Sequence, residues 1–146
     1  MYSAGMQSAA ELIEEGRRSR AAGDRDAARA RYAEAAVQYR QEGLTLAWAH
    51  AIRHIADMWL EESEFDTARP LYEDALEVYR ASLETRILDL ANTLRPYALL
   101  NEAAGDRELA RASWLEGKAL YASLRVEEGV AECRQHLASL QARELQ

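Results

Sequence analysis

Cysteine, lysine and proline are nearly absent from this chain, and each scarcity closes off a class of explanation. Cys133 is the one cysteine among 146 residues, so no internal disulfide can form. At helical spacing from Val130 and Leu137, it reads as a small core residue and not a reactive thiol. Two prolines and seven glycines leave long stretches without helix breakers, and the helix formers Ala, Leu, Glu and Arg abound. No stretch approaches the roughly 18 to 20 apolar residues of a membrane span, and the opening Met1 to Leu12 has neither a basic start nor an apolar core. A cytoplasmic protein without membrane association is expected. The net charge of −7 repels phosphate backbones and argues against nucleic acid as a partner. Lys118 is the only lysine among 18 basic residues. The arginines either reflect biased codon usage or exploit a planar fork that holds carboxylates at two points.

What the chain does have is a repeat. Gly23-Asp24-Arg25-Asp26-Ala27-Ala28-Arg29, Ser63-Glu64-Phe65-Asp66-Thr67-Ala68-Arg69 and Gly105-Asp106-Arg107-Glu108-Leu109-Ala110-Arg111 align, their anchors Ala28, Ala68 and Ala110 standing 40 and 42 residues apart. Four residues after each anchor comes an aromatic, Tyr32, Tyr72 or Trp114. Seven after comes Ala35, Ala75 or Gly117, and eleven after comes Tyr39, Tyr79 or Tyr121. These offsets share one helical face, where a small residue lets two helices approach and the aromatic fills the space beside the crossing. Ahead of each anchor stand Leu12 and Gly16, Ile52 and Ala56, Leu94 and Ala98, again a large apolar residue with a small one a turn later. The spacing predicts helices near Ser3–Ala21, Asp24–Gln41, Thr45–Glu62, Phe65–Ser82, Thr85–Ala103, Arg107–Leu124 and Glu127–Arg143. Gly23 and Gly105 suit left-handed helix ends, and the acidic residue after each suits the next helix start. In the last helix Val130, Cys133, Leu137 and Leu140 form an apolar stripe, with Glu128, Glu132, Gln135 and Ser139 facing elsewhere, as in a cap.

These residues resemble the tetratricopeptide repeat family, and the long repeat with its run ARPLYEDALEVYR resembles the kinesin-light-chain type, the usual unit being about 34 residues. The resemblance implies an all-α, right-handed α-solenoid of three helical hairpins plus a capping helix. It places one domain over 1–146, with repeats near 9–48, 49–90 and 91–130 and the cap near 127–143. It further implies a protein-interaction scaffold that takes a peptide or partner segment in its concave groove; the alternative is self-assembly as a homodimer through the uncapped first helix, or a regulatory domain without a peptide ligand.

By the resemblance, the first helix of each pair lines that groove. The lining positions are Ile13, Arg17 and Arg20; His50, Arg53, Asp57 and Glu61; and Asn92, Arg95, Leu99 and Glu102, with His54 beside them. Arg17, Arg53 and Arg95 would make a cationic strip suited to a carboxylate, unless Arg53 merely forms an exposed pair with Asp57 one turn on. Co-chaperone relatives clamp a terminal carboxylate with Lys, Asn and Arg. Here Ile13, Arg17, His54, Asn92 and Pro96 occupy those positions, so that clamp is not reproduced. His50, His54 and Asp57 share a helix face, but their separation suits simultaneous metal ligation poorly and no fourth ligand is evident. Pro96 cannot donate to the Asn92 carbonyl, and either exposes that carbonyl to the groove or adjusts stacking. Trp114 and Trp59 are expected in the core, Trp48 partly exposed, and His136 facing solvent. No nucleophile–base pair, phosphate loop or paired carboxylates occur in a suitable context. Neither an enzyme activity nor a metal or other cofactor is expected.

Overall fold

The computed structural model describes residues 7–145. Seven α-helices account for the regular structure among them: α1 Ala9–Ala21, α2 Arg25–Gln41, α3 Thr45–Glu61, α4 Phe65–Ala81, α5 Ile87–Ala104, α6 Arg107–Ser123 and α7 Glu127–Glu144. None of them is long and apolar enough to cross a membrane. The expected boundaries agree to within two residues except at α1. Its expected stretch from Ser3 lies partly outside the described residues, and Ser8 sets the start. The Ser8 side chain accepts from the Glu11 amide while the Glu11 carboxylate reaches back, a capping box that fixes Ala9 as the first helical residue. α5 starts at Ile87 and not Thr85 because the Thr85 hydroxyl instead donates to the Tyr79 carbonyl at the end of α4, 2.5 Å away.

Helix ends repeat one device. At Gly23, Gly43, Ser63, Gly105 and Arg125 the backbone turns left-handed, and the following amide bonds a carbonyl five residues back: Asp24 to Ser19, Glu64 to Trp59, Asp106 to Asn101. Gly23 and Gly105 meet this requirement freely. Ser63, their equivalent, adopts φ 60° with a Cβ present, at a cost of about 1 kcal/mol. Asp24 and Asp106 then cap the next helices through the Ala27 and Leu109 amides.

The chain divides into two compact units, one ending at Val78 and one beginning at Tyr79, within α4. In the first, α2 packs against both α1 and α3; in the second, α6 packs against both α5 and α7. The repeat is visible in what is buried. Ala28, Ala68 and Ala110, the aromatics Tyr32, Tyr72 and Trp114, and the small Ala35, Ala75 and Gly117 are all buried. So are Leu12 with Gly16, Ile52 with Ala56, and Leu94 with Ala98. In the second unit Cys133 and Leu140 of α7 join Trp114, Tyr121, Ala91, Ala98 and Ala110, with Val130 and Leu137 packed alongside. The expected cap stripe is therefore the one that packs.

Three glycines differ in what stands beside them. A Cβ on Gly129 would fall 2.5 Å from the Tyr121 ring, one on Gly16 3.0 Å from the Tyr32 ring, whereas one on Gly117 would meet Cys133 Sγ at 3.7 Å and Leu94 Cβ at 4.0 Å, both ordinary contacts. Gly129→Ala is thus expected to destabilise the protein by about 2 kcal/mol through overpacking. Gly117→Ala should be neutral or gain up to about 1 kcal/mol of helix propensity. Urea melts of both variants check this, and equal effects would contradict the packing described.

Candidate functional site

The sequence His50-Ala51-Ile52-Arg53-His54-Ile55-Ala56-Asp57 turns two kinds of face inward. Ala49, Ile52 and Ala56 sink into the core, and this carries His50, Arg53, His54 and Asp57, on the adjoining face, into half-buried positions. Such positions are costly for charge, so each side chain is held by others.

His54 lies flat against Tyr32 of α2, ring centroids 5.3 Å apart and planes 18° from parallel. Its Nε2 is 3.1 Å from His50 Nε2, while its Nδ1 is buried without a hydrogen-bond partner. Burial raises the pKa of the Tyr32 phenol, against the pull of Arg17 and Arg20 of α1. The Tyr32 ring can lie close to α1 only because residue 16 is glycine.

One turn along α3, Asp57 accepts a hydrogen bond of 2.5 Å from the Tyr72 hydroxyl of α4. Arg53 Nε stands 3.9 Å from the other carboxylate oxygen, too far for a hydrogen bond, and has no other partner. An exposed Arg53–Asp57 pair was the alternative to a ligand-binding Arg53. Its side chains retain only 14% and 18% of their surface, because Ile52 and Ala56 draw this part of α3 inward. Burial pushes the Asp57 pKa up, against the opposing effects of the Tyr72 bond, Arg53 and Arg20. The Tyr72 hydroxyl is pushed up by burial and by Asp57 itself. Arg20 pairs with Glu61, whose second oxygen takes Arg25 Nε at 3.1 Å. Arg17 is more open, 59% exposed and 3.5 Å from Glu14. Within this unit, then, Arg17, Arg20, His50, Arg53, His54, Asp57 and Glu61 form one polar cluster. Ile13, expected among the lining residues, is buried in the core.

The second unit uses its lining residues differently. Asn92 accepts from the Tyr121 hydroxyl at 2.6 Å. Arg95 grips Glu132 of the cap helix at two points, 2.5 and 2.9 Å, so Glu132 faces α5. Leu99 packs against the core. Glu102 accepts from the Trp114 indole N–H and lies 2.7 Å from His136 Nδ1, with Arg143 at 3.5 Å. His136 is therefore not turned to solvent: it stacks on Trp114, centroids 4.2 Å apart. Trp114 is in the core as expected, but Trp59 is only half-buried, with the Arg29 guanidinium 3.9 Å above its ring. Trp48 is half-buried under Arg40. A lone helix gives no sign of which arginine of a neighbour will cover its tryptophan, so sequence spacing missed both contacts.

Among the described residues no group of three His, Cys, Asp or Glu side chains is arranged to hold a metal ion. Cys133 is buried, and burial raises its thiol pKa. What the first-unit cluster offers is guanidinium charge, hydrogen bonds and two imidazoles. No protein-family model matches this chain, and no curated protein matches it either.

Burial first, then His50, Arg53, Arg20 and Arg17, lower the His54 pKa from 6.5 to about 3. A depressed folded-state value means that the stability His54 contributes is complete above its unfolded pKa and is lost as pH falls toward the folded one. Asp57, whose value is raised, works in the opposite direction. His54→Gln should therefore lose less stability than the unmodified chain between pH 7 and pH 4. Urea melts at both pH values measure this, and an equal or greater loss in the variant would rule out His54 as a source of acid sensitivity.

Proposed function

We propose that the chain is a protein-interaction module of the tetratricopeptide repeat type, and that its first unit holds an acidic peptide segment or terminal carboxylate. The observation that carries this reading is that Arg17 and Arg20 of α1 and Arg53 of α3 all act as positive charges on the half-buried His54. Two further features support it. Arg17 presents an open guanidinium, and Arg53 keeps a buried N–H without a hydrogen bond, a state that leaves a folded protein short of an acceptor. An acidic oxygen supplies that acceptor, and a guanidinium fork suits a carboxylate at two points. The repeated burial of Ala28, Tyr32 and Ala35, of Ala68, Tyr72 and Ala75, and of Ala110, Trp114 and Gly117 supports the repeat-family reading.

The cluster's histidines face each other and a tyrosine, not a hydroxyl or thiol nucleophile, and its carboxylate is held by Tyr72. We read it as a binding surface.

The test uses fluorescein-labelled tetraglutamate against labelled tetraglutamine in anisotropy titrations. The acidic peptide should bind and the amide peptide should not, with affinity falling as salt rises. Arg17→Ala and Arg53→Ala should each weaken binding by roughly tenfold or more, as loss of a charged hydrogen bond does. Arg95→Ala, which releases Glu132 in the other unit, should change it little. Equal binding of the two peptides would overturn the reading.

A further inference from the structure

The hairpin of α6 and α7 repeats that of α2 and α3 in register. Their helices start 82 residues apart, Arg25 with Arg107 and Thr45 with Glu127. Their turns share a left-handed residue, Gly43 or Arg125, and a closing bond of 2.9 Å, from the Leu44 amide to Tyr39 or from the Val126 amide to Tyr121. What differs is the filling beside the turn. In the first hairpin the Arg40 guanidinium lies 4.7 Å above the Trp48 ring. Ala122 and Val130 stand at the equivalent positions of the second. These smaller side chains line a cavity of about 410 Å³, completed by Arg125, Glu127, Ala131 and Arg134. That volume falls within the roughly 300 to 1,000 Å³ of small-molecule sites.

The lining sorts into an apolar floor and charged walls. Glu127, Val130, Ala131 and Arg134 are spaced i, i+3, i+4 and i+7 along one face of α7. Val130 and Ala131, with Ala122 from the last turn of α6, therefore form an apolar stretch between Arg125, ahead of α7, and Arg134, two turns along it. Most other arginines of the chain are engaged, as Arg95 is by Glu132 and Arg29 by Glu62 and the Trp59 ring. Arg125 and Arg134 have no hydrogen bond, ion pair or ring contact among the described residues. Glu127 does not offset them both. Its carboxylate sits in the first turn of α7, where the helix dipole favours negative charge, and two guanidiniums against one carboxylate leave the lining positive. The turn itself does not call for an arginine: Arg125 holds φ 58°, where its counterpart Gly43 holds 72° without a side chain to strain.

We propose that this cavity is a second binding site and that it takes a small aromatic carboxylate. The ring fills the space that Trp48 fills in the first hairpin and lies under a guanidinium as Trp48 lies under Arg40. The carboxylate is held by the planar fork of the other arginine. This site is separate from the one around Arg17 and Arg53, and each stands without the other.

Isothermal titration calorimetry of the full chain with indole-3-propionate tests this, because its indole matches the side chain by which Trp48 differs from Val130. One molecule should bind per chain. Indole-3-ethanol, which has no carboxylate, and propionate, which has no ring, should each bind at least about tenfold more weakly. Arg125→Gly supplies the residue that a left-handed turn accepts most readily, so the variant should melt no lower than the unmodified chain and yet bind roughly tenfold or more weakly. Arg134→Ala, on the exposed face of α7, should weaken binding to a similar degree. Val130→Trp refills the cavity and should abolish binding, with helix content checked by circular dichroism. Arg107→Ala, at the far end of α6, should change nothing. Absence of indole-3-propionate binding, equal binding of indole-3-ethanol, or undiminished binding in folded Arg125→Gly and Arg134→Ala would overturn the proposal.

Discussion

A large aromatic ring buried where two helices cross must still satisfy its polar tip, and much of this protein follows from that requirement. Tyr32, Tyr72 and Trp114 occupy equivalent positions, each fully enclosed. Two of the tips bond a carboxylate of the preceding helix, Asp57 for Tyr72 and Glu102 for Trp114, and Arg17 and Arg20 act on Tyr32 as positive charges. The ring thus contributes both the burial that holds a hairpin together and a demand for charge at its edge. Removing such a ring would cost about 3 to 5 kcal/mol, and removing only its charged partner would leave a buried group unsatisfied.

The same requirement explains why charge collects where it does. Asp57 and Glu102 are drawn inward to serve a ring, and each then needs cations of its own. Arg53 and Arg20 act on Asp57, while His136 and Arg143 approach Glu102. Along this chain of pairings in the second unit, Arg95 is matched by Glu132. In the first unit it stays incomplete. Arg53 Nε and His54 Nδ1 are buried without partners, and Arg17 is largely open. Proteins tolerate such incompleteness where a site has something to bind.

The sequence made the hairpins legible because burial at offsets of 4, 7 and 11 from Ala28, Ala68 and Ala110 is a property of one helix face. Left-handed ends at Gly23 and Gly105 were legible for the same local reason. What spacing within a helix could not reveal was the identity of a neighbour's side chain. Nothing near Arg95 in sequence points to Glu132, 37 residues on. Nothing near Trp59 points to Arg29, and nothing near His136 points to Trp114 and Glu102. Ser63 is a further case: it aligns with Gly23 and Gly105 and turns left-handed like them, but its residue type gave no sign of that turn. In the candidate site, the grouping of His50, Arg53, His54 and Asp57 was readable from α3 alone. That Tyr32 and Tyr72 form its walls was not, because they belong to α2 and α4.

The central claim is that the incomplete cluster of the first unit is where an acidic ligand sits. Backbone amide chemical-shift mapping of the isotope-labelled full chain, with N-acetyl-tetraglutamate added at pH 6, addresses it directly. The largest shifts should fall on Arg17, Arg20, His50, Arg53 and His54, with Arg95 and Glu132 little moved. Shifts centred on the second unit, or spread evenly over the arginines of both, would contradict it.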